Sequence, residues 1–228
     1  MKNSTANPDR VRAMFARIAP RYDRMNRLMT GFQDTRWRRH VIALAGLKPH
    51  ASLLDLGAGT GDLAREAVRQ NPTTRVAAAD FTLEMMRVGQ RANRLPFAAA
   101  DALRLPFANA SFDAAVSGFL MRNVADIHEC LQEQYRVLKP RGRIVILDTT
   151  RPKKNILSPL IWLHMHAVIP ALGWLVAGER AAYQYLPDST ERFVTAERLA
   201  ALMAAVGFRL VGFERLMFGT IAIHWGEK

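Results

Sequence analysis

Gly57, Gly59 and Gly61 stand at alternate positions between the apolar run Leu53-Leu54-Asp55-Leu56 and an amphipathic stretch that opens at Asp62. Ser52–Leu56 has the length and apolarity of a buried strand. The stretch from Asp62 carries Leu63, Ala64, Ala67 and Val68 at helical spacing and stops before Asn71-Pro72. Strand, glycine turn and helix make the first βα unit of a nucleotide-binding α/β sheet. Glycines take positive φ freely and let another molecule lie against bare backbone. The helix behind them points unpaired N–H groups at whatever fills the turn.

The spacing is G-x-G-x-G, not G-x-G-x-x-G, and an acid flanks it on each side, Asp55 and Asp62. A pyrophosphate needs an anion hole there. Two acids suit instead a ligand with a positive end, such as the aminoacyl end of S-adenosylmethionine. Arg75–Asp80 reads as the next strand, and an acid at its tip suits the two ribose hydroxyls of an adenosine. Asp80 also has the position of an N-cap for the helix that starts near Leu83. After a third strand at Leu95–Ala100, Asp101-Ala102 suits an adenine amino group. The expected cofactor set is therefore Asp55, Gly57, Gly59, Thr60, Gly61, Asp80, Phe81, Asp101, Ala102, Ser117 and Gly118.

The 228 residues suffice for a core without disulfide or metal staples. Cys130 is the one cysteine, which excludes an internal disulfide and a Cys-rich metal site, so no metal is expected. A polar stretch over Met1–Arg10 lacks the apolar core of a secretion signal, and a cytoplasmic protein is expected. The net charge is +12, and residues 1–48 hold eleven Lys/Arg against three Asp/Glu. Such a surplus permits an anionic membrane surface or nucleic acid as partner; arginine-rich usage also follows from high genomic GC content.

Along the chain, Val11, Phe15, Ile18 and Ala19 have helical spacing until Pro20. A second helix, Thr35–Ala45, puts Trp37, Val41, Ile42 and Leu44 on one face, with Arg36, Arg38 and Arg39 elsewhere, and Gly46 ends it. Two helices ahead of such a core act as a cap, and Tyr22 either lines the substrate pocket or packs the cap. Ser111–Ser117 reads as the fourth strand, whose carboxyl end delivers Arg122 and Asn123 to the ligand crevice. Ile127–Leu138 reads as a helix ended by Lys139–Gly142, Arg143–Asp148 as the fifth strand and 151–187 as the least regular part. Phe193–Val206 reads as a helix, and Phe208–Arg215 with Thr220–His224 as a final hairpin.

Leu-Asp-Leu-Gly-Ala-Gly-Thr-Gly-Asp (54–62), Ala-Asp-Phe-Thr (79–82), Asp-Ala-Leu-Arg-Leu-Pro-Phe (101–107), Met-Arg-Asn-Val (121–124) and Tyr-Arg-Val-Leu-Lys-Pro (135–140) together resemble class I S-adenosylmethionine-dependent methyltransferases. Arg21–Asn26, Gly178–Phe193 with its Tyr-Gln-Tyr-Leu, and the ending His224-Trp225-Gly226 narrow the resemblance to the branch that methylates the ring carbon of demethylmenaquinol and of the ubiquinone precursor. The resemblance implies a Rossmann-like α/β fold: a mostly parallel seven-stranded sheet with an antiparallel C-terminal hairpin, helices on both faces and an N-terminal helical cap. It implies a single domain, with residues 1–48 as the cap and 151–192 as an apolar substrate lid. Arg141 stands where the family has a glycine, Asp148-Thr149-Thr150 where it has Glu-Phe-Ser, and Phe218-Gly219 where it has Gly-Gly.

Methyl transfer from sulfonium to carbon is an in-line displacement that gains mostly from positioning. The acceptor carbon is activated by ionising a neighbouring hydroxyl, which calls for a base or a cation beside the phenolate. Arg122, Asn123, Tyr22 and His224 are the candidates, with Asp148 behind them. Arg122 is no simple base; it holds a phenolate or orients a water. Residues 156–177 are apolar and long enough to span a bilayer, but Pro159, Pro170, Gly173, His164 and His166 interrupt them. A buried helix or a lid touching the membrane surface, with Trp162 and Trp174 at the interface and Lys153 and Lys154 beside it, is expected instead. His164 and His166 are two apart and share no helix face, which argues against a metal site. The expected partners are a prenylated quinol and an anionic membrane surface. Without an appended RNA-binding module or interleaved aromatics, nucleic acid is not expected.

Overall fold

The computed structural model describes residues 8–92, 95–152, 156, 158–177 and 180–228. Lys153, Lys154, Gly178 and the first seven residues, on which expectations above rest, lie outside the described residues. The strands follow the apolar runs: β1 (Ser52–Leu56), β2 (Arg75–Asp80), β3 (Phe97–Ala99), β4 (Phe112–Gly118), β5 (Leu138–Thr149), β6 (Arg209–Leu216) and β7 (Ile221–Glu227). They form one sheet in the order β3-β2-β1-β4-β5-β7-β6. Pairing is parallel from β3 through β5, and β7 runs antiparallel to both β5 and β6. The order reverses between β1 and β4, and ligand crevices of open α/β sheets lie at that reversal, beyond the carboxyl ends of the strands.

Each face of the sheet is covered by helices. On one side α3 (Asp34–Ala45) and α4 (Asp62–Gln70) bury Trp37, Val41, Leu63 and Ala67 against Leu53, Val116 and Val145. On the other, α6 (Ile127–Val137) and α10 (Ala196–Val206) bury Leu131, Leu199 and Met203 against Leu54, Ile144 and Ile146. α5 (Leu83–Ala92) follows β2. Alternation along fully buried strands thus feeds two apolar layers, and the alanines of β2 and β4 let the helices approach closely.

Several boundaries differ from expectation. Three helices precede β1, not two: α1 (Pro8–Ile18), α2 (Tyr22–Met29) and α3, because Pro20 is absorbed into a 3₁₀ turn and does not end the helical run. β5 begins at Leu138, not Arg143, since Leu138 pairs with Phe112 and a bulge, with Arg141 at φ 65°, carries the chain through Lys139–Gly142. α10 starts at Ala196, where Thr195 Oγ1 accepts the Arg198 N–H. The stretch expected to be irregular is helical: α7 (Ser158–Leu163), a π turn at His164–Val168, α8 (Ile169–Leu172), a π turn at Gly173–Ala177 and α9 (Arg180–Arg192). Among the described residues no helix is long and apolar enough to cross a membrane.

The N-terminal helices meet those that follow β5. α8 packs on α2 and α9 on α1, around a cluster of Met14, Ile18, Met25, Met29 and Ile169. They lie over the carboxyl ends of the strands, where they close the space above the reversal.

Candidate active site

β1 ends in a turn at Gly57, φ 66°, and Gly59, φ 58°, before Gly61 starts α4 in the left-handed region. A Cβ on Gly57 would come within 2.8 Å of Leu120 Cδ1. Both positions therefore need glycine for φ, and Gly57 needs it for space as well. The turn borders a cleft of ≈ 150 Å³, together with Asp80, Phe81, Asp101, Ala102 and Gly118. Asp80 is anchored through both oxygens, accepting the Gly59 N–H at 2.7 Å and the Thr82 N–H at 2.7 Å. Burial still pushes its carboxyl above the usual range, against the pull of those backbone N–H groups. Asp101 accepts the Leu103 N–H at 2.9 Å. Arg12 of α1 lies over the Phe81 ring, 5.6 Å from its centre.

Four residues of the expected set do not border this cleft. Asp55 is buried behind the turn, where it accepts the Ala64 N–H at 2.9 Å and so satisfies an open end of α4. Burial, reinforced by Asp80 and Asp62, raises its pKa to about 7. Thr60 faces the N-terminal helices and donates to Asp23 at 2.7 Å. Gly61 sits beneath Leu95 and Phe97. The Ser117 side chain is fully buried within β4.

Asp62 departs from expectation too. Rather than facing a ligand, it is enclosed by Arg27, Arg38 and Arg65. Burial opposes its ionisation, yet the three guanidinium groups hold its carboxyl below the usual range. Arg38, expected off the apolar face of α3, is buried and also pairs with Asp34, as does Arg27. This network ties α2 and α3 to the first turn of α4.

A second, larger cavity of ≈ 360 Å³ opens between α1–α2, the end of β5, α7–α9 and the β6–β7 turn. Its wall is mainly apolar, from Met14, Ile18, Met29, Ile169 and Leu186. Phe15, Tyr22 and Phe119 border both spaces and form the partition between them. Burial raises the Tyr22 pKa, opposed by Asn26 and Arg122, so the phenol keeps its proton and serves as a donor.

Arg122 lies on the cavity wall in a 3₁₀ turn after β4. Its Nη1 donates to Asp148 Oδ1 at 2.6 Å, and the guanidinium stands 5.3 Å from the centre of the Phe119 ring. Asn123 points instead to the smaller cleft; it donates to the Phe119 carbonyl and accepts from the Tyr185 hydroxyl at 3.1 Å. Arg122, Asn123 and Tyr22 thus converge on the partition.

His224 is not brought to either space. It is 2% exposed in β7, makes a 2.9 Å hydrogen bond to the Ala196 carbonyl and stacks on Phe213. Burial lowers its pKa, which keeps it neutral inside the layer under α10. Sequence reasoning missed Phe15, Phe119, Thr149 and His164 on these walls. His164 was legible only as a polar break in an apolar run, and Thr149 only as a residue at the end of a buried strand. Among the described residues no group of three or more His, Cys, Asp or Glu could hold a metal ion.

The model of the ubiE/COQ5 methyltransferase family matches residues 3–228. A ubiquinone/menaquinone biosynthesis C-methyltransferase UbiE of Desulfotalea psychrophila is 45% identical over 221 residues, 96% of this chain and 90% of that protein. A demethylmenaquinone methyltransferase of Thermus thermophilus is 43% identical, over 94% of this chain and 100% of its own length. Among solved structures, the [4+2]-cyclase SpnF superposes with a TM-score of 0.72 at 17% identity, covering 96% of this chain and 94% of that one. A SAM-dependent methyltransferase of Thermotoga maritima, described as a possible histamine N-methyltransferase, gives 0.64 at 19% identity, over 95% and 99%. That a cyclase shares the architecture means the fold alone assigns no reaction.

Proposed function

The chain belongs to the ubiE/COQ5 methyltransferase family, and we propose that it methylates a ring carbon of a prenylated quinol, demethylmenaquinol or the equivalent ubiquinone precursor. It is an S-adenosylmethionine-dependent methyltransferase. The single observation that carries the acceptor reading is the pair of spaces sharing the Phe15–Tyr22–Phe119 partition: a small acid-bordered cleft against glycine backbone, and a larger apolar cavity.

The residues of the cleft fit S-adenosylmethionine. Asp80 is fixed from behind and borders the cleft, where it takes the ribose hydroxyls; Asp101 is placed for the adenine amino group; Gly57 and Gly59 present backbone without a Cβ. When bound, S-adenosylmethionine supplies an electrophilic methyl group. The protein's own part is to hold the acceptor ring in line with it across the partition and to exclude water, and fixing two reactants in this way accounts for much of the barrier lowering. The Arg122 guanidinium, held rigid by Asp148 and Phe119, is placed to stabilise negative charge on a ring oxygen.

The apolar cavity suits the ring and the first part of a prenyl tail. We read α1–α3 as its cap and α7–α9 as its lid, consistent with the apolar cluster the two share. The lid exposes Trp162 at 59% and Trp174 at 64%, and Phe218 at the cavity rim is 70% exposed. With the surplus of basic residues in residues 1–48, these side chains support peripheral contact with an anionic membrane surface, from which a water-insoluble acceptor enters.

The test is methyl transfer from labelled S-adenosylmethionine to demethylmenaquinol and to a demethylated benzoquinol under reducing conditions. Label in either quinol supports the reading and separates the ring types. Cofactor binding without quinol product overturns the acceptor assignment and directs the search to other lipids and to RNA.

A further inference from the structure

Three residues that line the larger cavity, His164, Thr149 and Asn26, each carry a buried polar atom that bonds to none of the described residues. His164 borders the cavity, and its Nε2 is shut off from solvent and bonds to none of the described residues. Thr149 Oγ1, at the end of β5 on the same wall, is in the same condition. Buried polar groups are rarely left unpaired, and an exception calls for an explanation such as a missing ligand. His164 is also the first residue of the π turn between α7 and α8. Single π turns inside helices re-aim side chains and recur at functional sites.

The other ionisable groups at this wall are unsuited to removing a proton. The Tyr22 and Tyr185 hydroxyls are held protonated by burial, and Tyr185 already donates to Asn123. Arg122 is a fixed cation paired with Asp148. Asp148 lies behind the wall, its oxygens taken up by Arg122 and by the Thr149 N–H at 2.7 Å. His166 pairs with Glu191 at 3.2 Å and stacks on Trp162, outside the cavity lining.

We propose that the His164 imidazole is the catalytic base toward the acceptor, taking the proton of the ring hydroxyl beside the carbon to be methylated while Thr149 Oγ1 hydrogen-bonds the oxygen left behind. This rests on the quinol reading above. Loss of the hydroxyl proton leaves a phenolate, whose electrons form the new bond from the ring carbon to the methyl group as the methyl–sulfur bond breaks and sulfur keeps that pair. The ring carbon then gives up its hydrogen as a proton to water. The electrons of that C–H bond restore the aromatic ring, and the imidazolium returns its proton to the ring oxygen. The sum is one methyl gained, one ring hydrogen replaced and one proton released.

The experiment uses the full chain, labelled S-adenosylmethionine and a reduced demethylnaphthoquinol with a short prenyl tail. His164→Gln is expected to lower kcat by about 10²–10⁴-fold, the range of a lost general base. KM for the quinol, cofactor affinity and Tm stay near the parent values. His164→Ala is expected to regain activity with added imidazole, in proportion to its free-base fraction, which a merely structural residue would not do. Thr149→Val, nearly unchanged in volume, lowers kcat by about tenfold, the size of one lost hydrogen bond. The proposal is overturned if His164→Gln keeps kcat within about threefold of the parent. It is also overturned if activity and cofactor binding vanish together and imidazole restores neither. If the unmodified protein makes no quinol product, the acceptor reading fails and this inference falls with it. Product from the parent, and from His164→Gln at a rate within about threefold of it, leaves the acceptor reading standing and removes only the base.

Discussion

Asp148→Asn isolates the buried charge pair that fixes Arg122. Both side chains are under a tenth exposed, and the Nη1–Oδ1 distance is 2.6 Å. Asp148 also accepts the Thr149 N–H at 2.7 Å and the Arg122 N–H at 3.3 Å. Asparagine keeps one acceptor oxygen but turns the other into a donor, opposite a group that itself donates. The guanidinium stays buried beside Phe119 without its counter-charge. Removing one partner of a buried pair costs about 3–5 kcal/mol, a large part of the roughly 5–15 kcal/mol that holds a domain folded. At about 2–4 °C per kcal/mol for a chain of this size, Tm falls by roughly 6–20 °C. Replacing both partners by apolar residues, Arg122→Met with Asp148→Leu, recovers most of that loss, because an ion pair barely repays its desolvation. The double variant is expected to stay inactive if the larger cavity, which Arg122 lines, takes the acceptor. Urea and thermal unfolding of the three proteins provide the measurement. A single variant within about 1 kcal/mol of the parent, or a double variant no more stable than the single, refutes the reasoning.

Asp80→Ala removes two charge-assisted bonds to the ribose, each worth about 1.5–3 kcal/mol; calorimetry should show S-adenosylmethionine affinity falling at least about a hundredfold. Gly57→Ala meets both the left-handed backbone penalty of about 1–2 kcal/mol and Leu120 Cδ1 at 2.8 Å, so a loss of stability with weakened cofactor binding is expected, and unchanged melting would contradict it. Trp162→Ser with Trp174→Ser withdraws two rings that would each bury roughly 120 Å², about 3 kcal/mol apiece; co-sedimentation with anionic vesicles should drop while turnover of a water-soluble quinol analogue persists. The Asp55 pKa is about 7 when folded against about 3.9 unfolded. The folded state therefore holds a proton that the unfolded state lacks between those values, and the contribution is full below pH ~4 and lost as pH rises toward 7, by up to about 4 kcal/mol. Asp55→Asn removes that slope, and a flat difference in unfolding free energy between the two proteins across this window would contradict the assignment.

The parts legible in the sequence are those fixed by local periodicity. The glycine turn, Asp80 at the end of β2 and the terminal hairpin all follow from residues within about ten positions of one another. What escaped depends on depth or on distant partners. Alternation along β7 tells which face His224 joins, not that α10 covers it with the Ala196 carbonyl. The burial of Arg38 off the apolar face of α3 was not legible because Asp62, one of its partners, lies far off in sequence. Thr60 looked like part of a ligand turn because its partner Asp23 belongs to another helix. His164 was weighed only as a metal ligand beside His166 and as a polar break in an apolar run, and its place on the cavity wall depends on helices from the other end of the sequence.

The same long-range pairs explain part of the basic charge. A net +12 suggests an anionic partner, yet Arg27, Arg38, Arg65 and Arg122 are spent within the protein on Asp34, Asp62 and Asp148. Arg27 and Arg38 clamp α2 and α3 onto Asp62 at the start of α4, and Asp23 of α2 adds ties to Thr60 of the glycine turn and to Arg65 of α4. Tyr22 is the first residue of α2 and part of the partition between the cleft and the larger cavity. The partition is therefore only as rigid as the clamp behind it. Methyl transfer needs reacting atoms held to a fraction of an ångström, so Asp62→Asn is expected to slow turnover by loosening Tyr22, although Asp62 itself borders neither space.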